Sequence, residues 1–215
     1  HSVKVGIFGT ALAINLFGDK LHEHNIAKLS TAFFLHDIGM SKVPPRILDK
    51  KGPLTKEEWD IVRKHPIWGH ERLMKSQYVS DEAAAIVLYH HERSDRKGYP
   101  FKRLDSSIPL YSRICAIADT FEALISTRPY RNPKTPFEAI KIMQLEMAGE
   151  FDPQLFRAFI MLSDPEDSIH IPRYSNLEQN NFESVDSDFR IEKQLDPCQS
   201  FKTQYASVIA QNLCA

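Results

Sequence analysis

Apolar positions recur at helical spacing through the first 163 residues, and no stretch alternates as a strand would. Val5, Phe8, Leu12 and Leu16 predict a helix over 3–17, which Gly18 and Asp19 end. Ile26, Leu29, Phe33 and Phe34 predict a second over 26–36, with Gly39 as its terminator. Pro44, Pro45, Gly52 and Pro53 mark 43–53 as loop. Thr55 and Glu58 form a capping-box pattern. The helix they open must stop near Lys64, because Pro66 disfavours helix at His65, and another follows over 66–75 with that proline in its first turn. Ser80 caps a helix over 81–91, buried through Ala84, Ala85, Val87 and Leu88. A polar loop with Gly and Pro fills 92–107, and 109–126 is strongly apolar and helical. Thr135 with Glu138 opens a helix to 147, and Asp152-Pro153 a last one to 162. The expected core is all-α.

After Ser163 the composition shifts to Asn, Ser, Gln and acidic residues with scattered aromatics. This predicts a core domain over 1–163 and a polar, acidic, partly ordered extension over 164–215, with one weak helix at 194–213. The formal net charge of −1 conceals an asymmetry: nine acidic residues face four basic ones from Asp164 onward. The first 163 residues therefore hold a surplus of four positive charges, mildly attractive to an anionic substrate but no surface for polymeric nucleic acid. Cys115, Cys198 and Cys214 form no CxxC pair, and Cys115 lies in an apolar run. A buried thiol and a cytoplasmic setting are the simplest reading. No apolar run approaches the roughly 20 residues that span a bilayer. The chain opens without Met inside a patterned segment, so a longer parent is expected, one that a missing N-terminal part could anchor to a membrane.

The candidate chemistry centres on His36-Asp37, at the end of Ala32-Phe33-Phe34-Leu35. A neutral imidazole beside a carboxylate suits a divalent metal, and the second carboxylate oxygen is free to bridge to another. His1, His65, His90, His91 and Asp119 lie near other helical patterns. A carboxylate within Ile117-Ala118-Asp119-Thr120-Phe121 is costly to bury alone. It calls for a metal, a cation, or hydrogen bonds from a backbone end. His90 and His91 diverge by about 100° on a helix. They serve one ion only if the helix frays there, and otherwise two neighbouring ions. His22, His24, His70 and His170 read as ordinary hydrogen-bonded histidines.

The loop His90-His91-Glu92-Arg93-Ser94-Asp95-Arg96-Lys97-Gly98-Tyr99-Pro100 resembles that of the HD-GYP domain family. So do His1-Ser2, His36-Asp37-Ile38-Gly39, Pro44 to Leu48, Gly52-Pro53-Leu54-Thr55 and His65-Pro66. The segments Ala118 to Leu124, Arg128-Pro129-Tyr130-Arg131 and Phe151-Asp152-Pro153 extend the likeness over about 1–160. The resemblance implies a helical HD-superfamily bundle that binds two or three divalent ions, iron or manganese. It also implies hydrolysis of the bacterial second messenger cyclic di-GMP to linear pGpG, and to GMP where a second cut follows. The family's ligands fall on His1, His36, Asp37, His65, His90, His91 and Asp119. A further glutamate of trinuclear members would lie four residues before His1, outside this chain. Arg128 and Arg131 match the family's phosphate-binding pair, and Tyr99 and Pro100 lie in the loop near the substrate. GGDEF-type or regulatory domains, and a second copy in a homodimer, are the partners this implies.

Two positions depart from the family. Met40 replaces a lysine that pairs with the HD aspartate and contacts substrate, and Arg96 stands where the loop carries glycine. Lys42 is near enough in sequence to supply the missing charge beside Asp37. The expectation is a slow phosphodiesterase. Its rivals are a weak or inactive cyclic-dinucleotide sensor or docking module, and a hydrolase of another cyclic dinucleotide.

Overall fold

The computed structural model describes residues 1–127 and 132–163. The C-terminal extension, its expected helix, and Arg128 and Arg131 lie outside the described residues. Nine α-helices are seen among those described, and no strand. They are α1 (Ser2–Phe17), α2 (Ile26–Leu35), α3 (Pro45–Leu48), α4 (Lys56–Val62), α5 (His65–Leu73), α6 (Asp81–Tyr89), α7 (Leu110–Ile125), α8 (Pro136–Leu145) and α9 (Pro153–Ser163). None is long and apolar enough to cross a membrane.

Side-chain caps set the starts. Asn25 accepts from the Lys28 amide and Ser80 from the Ala83 amide. Thr55 with Glu58 and Thr135 with Glu138 form complete capping boxes. Helix α1 packs on α2, α7 and α9, while α6 joins α2, α5 and α7. Leu12, Phe33, Ile86, Ile114, Ile117, Met143 and Phe159 fill the core between them. A smaller cluster of Val43, Ile47 and Val62, with Met40, Leu54 and Trp68 against it, holds α3 and α4 beside the first part of α5.

The expected loop at 43–53 contains α3, a single turn started by Pro45, whose fixed φ suits the first helical position. The break at Gly18-Asp19 is a 3-10 segment, Gly18–Glu23. Helix α5 begins at His65, one residue earlier than the pre-proline rule allows. The His65 ring bonds to the Val62 carbonyl at 2.8 Å, which fixes the corner and outweighs the modest steric cost before Pro66. Gly39 does not terminate a helix through a left-handed conformation. It is buried in the 3-10 turn Ile38–Lys42, where the backbone of α5 passes close by.

Candidate metal centre

Helix ends leave carbonyl groups without intrahelical partners. Three histidines of this chain use them in the same way. The Nδ1–H of His36 donates to Phe33 O, of His65 to Val62 O and of His90 to Val87 O, at 2.8, 2.8 and 2.9 Å. Each acceptor lies in the last turn of α2, α4 or α6. A carbonyl cannot donate, so a proton is fixed on Nδ1, and in the neutral ring Nε2 presents a bare lone pair. These lone pairs converge in the buried interior. Nε2 of His65 lies 3.2 Å from that of His90, and Nε2 of His36 lies 3.3 Å from that of His1. Facing lone pairs repel unless a cation or proton stands between them.

Asp37 sits in the middle. Its Oδ1 is 3.1 Å from His65 Nε2 and 3.6 Å from His90 Nε2. Its Oδ2 is 3.4 Å from His1 Nε2 and 3.6 Å from His36 Nε2. Asp119, projecting from α7, places Oδ1 3.3 Å from His1 and Oδ2 3.8 Å from His91 Nδ1. Two donor groups result: Asp37, His65, His90 and His91 in one, and His1, His36 and Asp119 in the other, with atoms of each within 4.8 Å. Ligands about 2.0–2.2 Å from a shared ion stand roughly 2.8–3.6 Å apart. The donor set fits divalent cations, with Asp37 able to face both groups.

The electrostatics agree. Burial lowers the His90 pKa to about 4, against Asp37, so the ring is neutral near pH 7. Burial likewise holds His91 well below the ordinary value, reinforced by His90. At His1 burial pulls down, but hydrogen bonds to Asp119, Asp37 and Glu122 win and raise the pKa to about 10. The carboxylates that attract a proton there would attract any cation. Asp37 and Asp119 resist burial and stay well below the usual carboxylate range through their histidines, His1 foremost.

All seven expected ligands therefore meet. His90 and His91 do so because α6 ends at Tyr89, leaving His90 as its C-cap and His91 beyond the helix, with ring centroids 4.2 Å apart. Tyr99 joins them. Its ring stacks on His91 at 4.5 Å and 24°, and meets His65 edge-on at 6.3 Å. Pro100 follows through a cis peptide. Lys42 does not join. In a 3-10 turn residues three apart share a face, so Met40 follows Asp37 while Lys42 points elsewhere. Its ammonium pairs with Glu71 at 3.1 Å, 6.0 Å from the Trp68 ring centroid. Met40 packs on the small apolar cluster. His22 and His24 stand apart, bonded to Asp19 O and to the Tyr111 hydroxyl.

Sequence reasoning missed two carboxylates. Glu92 is buried and accepts from the amides of Phe101 and Arg103 at 2.6 and 2.9 Å, which ties the far side of the loop to the end of α6. Glu122 is fully buried, accepts from His1 Nδ1 at 2.5 Å and bonds to Ser126 Oγ. The signal was present: Glu122 follows Asp119 by one helical turn in an apolar helix, where a lone carboxylate needs a task. Arg96 occupies a left-handed conformation, φ 63°, which explains why glycine suits that position. Glu122 orients His1, so Glu122→Ala is expected to weaken metal affinity roughly 10–100-fold, while Glu122→Asp loses less. Competition against a fluorescent chelator reads this directly, and unchanged affinity refutes the role.

A profile described as the HD domain matches residues 14–155. The chain belongs to the HD domain family. This HD domain is 41% identical over 160 residues to a cyclic di-GMP phosphodiesterase of Pseudomonas aeruginosa, covering 74% of the chain and 38% of that protein. It is 35% identical over 156 residues to 3'3'-cGAMP-specific phosphodiesterase 2 of Vibrio cholerae, covering 72% and 29%. The chain thus spans less than half the length of either relative. Among solved structures, the HDG"Y"P protein Bd1817 of Bdellovibrio bacteriovorus superposes with a TM-score of 0.60 at 20% identity, covering 76% of the chain and 52% of its own. That likeness establishes the fold of the HD domain.

Proposed function

We propose that residues 1–163 form a metal-dependent phosphodiesterase domain that hydrolyses cyclic di-GMP to linear pGpG. The observation that carries this is the position of Asp37, with one oxygen toward each of two histidine groups beneath the signature tyrosine. The metal ligands are His1, His36, Asp37, His65, His90, His91 and Asp119, and iron or manganese suits this mixed imidazole and carboxylate set. When bound, the ions would acidify a water for attack on phosphorus and offset the phosphate charge. The protein's part is positioning. Helix-end carbonyls lock three imidazoles, Glu122 orients His1, and Glu92 holds the loop that carries Tyr99 and Pro100 against the substrate. Arg128 and Arg131 would supply charge-assisted bonds to phosphate. The cytoplasm is the compartment we propose, from cysteines that form no paired motif.

The relatives' names support a cyclic dinucleotide as the substrate class, and both cyclic di-GMP and 3'3'-cGAMP belong in the assay. Anaerobically purified protein should hold at least two ions per chain and turn over cyclic di-GMP slowly, because Met40 stands where the family's lysine would pair with Asp37. Met40→Lys should then raise turnover at unchanged metal content, by an amount on the order of 10²-fold. Lys42→Ala should change little, since an exposed ion pair contributes at most about 1 kcal/mol. Tight binding without cleavage, in both the wild type and Met40→Lys, would favour the sensor reading.

A further inference from the structure

We infer that Arg63 grips the phosphodiester of the substrate at the mouth of the metal cluster, in place of the cation that Met40 does not provide. This rests on the proposed phosphodiesterase function, and it concerns a residue with no place in the ligand set or the signature loop.

Arg63 is the C-cap of α4, directly after Val62. Val62 is doubly fixed: its carbonyl accepts from His65 Nδ1 at 2.8 Å, and its side chain is buried in the cluster that holds Met40. The backbone of Arg63 is therefore set against the donor group of Asp37, His65, His90 and His91. Its side chain is exposed and runs toward the cluster. The guanidinium carbon lies 5.8 Å from the centroid of Tyr99, whose ring stacks on His91, and 5.9 Å from that of Trp59. Arg63 therefore stands one aromatic ring away from a candidate metal ligand.

What separates it from an ordinary surface arginine is its place between two rings, one of them stacked on a candidate ligand. Among the described residues no carboxylate pairs with it, so no acid occupies its donors. The aromatic contacts also restrain the guanidinium without using its donors. Attraction to a ring face engages the cationic plane, while the in-plane N–H groups that grip phosphate in pairs stay free. A restrained cation with open donors loses less entropy on capturing an anion than a mobile lysine would. The cluster beneath it carries Asp37, Asp119 and Glu122, so once cations neutralise those carboxylates, a dianionic cyclic dinucleotide needs positive charge at the rim.

The test compares wild type, Arg63→Met and Arg63→Lys in metal-loaded form. Methionine keeps an apolar stem beside Trp59 and Tyr99 and removes only the charge. For cyclic di-GMP, Arg63→Met should raise KM about tenfold or more, the range of one charged hydrogen bond, with kcat within about threefold. Metal per chain and the melting temperature should be unchanged, and the salt dependence of kcat/KM should flatten. Arg63→Lys should recover part of the loss, because it restores charge but not the planar fork. An unchanged KM in Arg63→Met overturns the inference, as does an effect that tracks lost metal or stability. If the wild type neither binds nor cleaves cyclic di-GMP, the nucleotide reading fails on its own. Arg63 is then judged with bis(4-nitrophenyl) phosphate, where equal KM in wild type and Arg63→Met refutes the grip and a tenfold rise upholds it.

Discussion

Asp37→Ala is expected to remove both ions, whereas His65→Ala should remove only one. The asymmetry follows from the geometry. The two oxygens of Asp37 serve opposite sides, 3.1 Å from His65 Nε2 and 3.4 Å from His1 Nε2. Without this carboxylate, His65, His90 and His91 keep no anion of their own, only an oxygen of Asp119 3.8 Å from His91 Nδ1. The other group keeps Asp119 as its one anionic donor, with Glu122 a ring away behind His1. His65→Ala instead leaves Asp37, Asp119, His1 and His36 together, a mixed set of the kind that holds an ion. Mass-spectrometric metal analysis of folded protein should read close to two, one and zero ions per chain for wild type, His65→Ala and Asp37→Ala. Turnover in Asp37→Ala should fall by roughly 10³-fold or more, because the lost charge stabilisation amounts to several kcal/mol. A full metal complement in Asp37→Ala would show that neither donor group depends on this carboxylate.

The fold was legible because helical spacing and caps are local signals. Thr55 with Glu58, Ser80 and Thr135 mark starts that need no knowledge of the rest of the chain. The seven candidate ligands were legible as residue types, but their convergence was not. It depends on histidine rings bonding to carbonyls of Phe33, Val62 and Val87, a tertiary use of helix ends that leaves no periodic trace. Lys42 was misplaced for the same reason. Its distance in sequence from Asp37 is small, but a 3-10 turn sends it to another face, where Glu71 waits. Arg63 was invisible because its interest lies in Tyr99, 36 positions away in sequence.

Gly39 carries the second large effect. Its part in the motif is to let two backbones meet. A Cβ built there would lie 1.9 Å from the His65 carbonyl oxygen and 2.5 Å from the Gly69 amide nitrogen. Neither neighbour is a side chain that can rotate aside, so relief requires α5 to move bodily from the 3-10 turn Ile38–Lys42. Contact between a methyl carbon and a carbonyl oxygen needs a little over 3 Å, so the shift must exceed about 1 Å. That displacement falls on the link between His65 and Asp37, because both flank the contact. Gly39→Ala should therefore cost roughly 3 kcal/mol, at the upper end of overpacking effects. In a chain of this size that lowers the melting temperature by about 6–12 °C. The folded fraction should also lose the ion held by His65, His90 and His91 and keep the one at His1, His36 and Asp119. Gly52→Ala is the control, since nothing lies within 4 Å of a Cβ at that position and no strain is expected. Thermal melts paired with metal analysis separate the outcomes. A Gly39→Ala protein with wild-type stability and both ions would mean that α5 and the turn are less tightly joined than their backbone approach indicates.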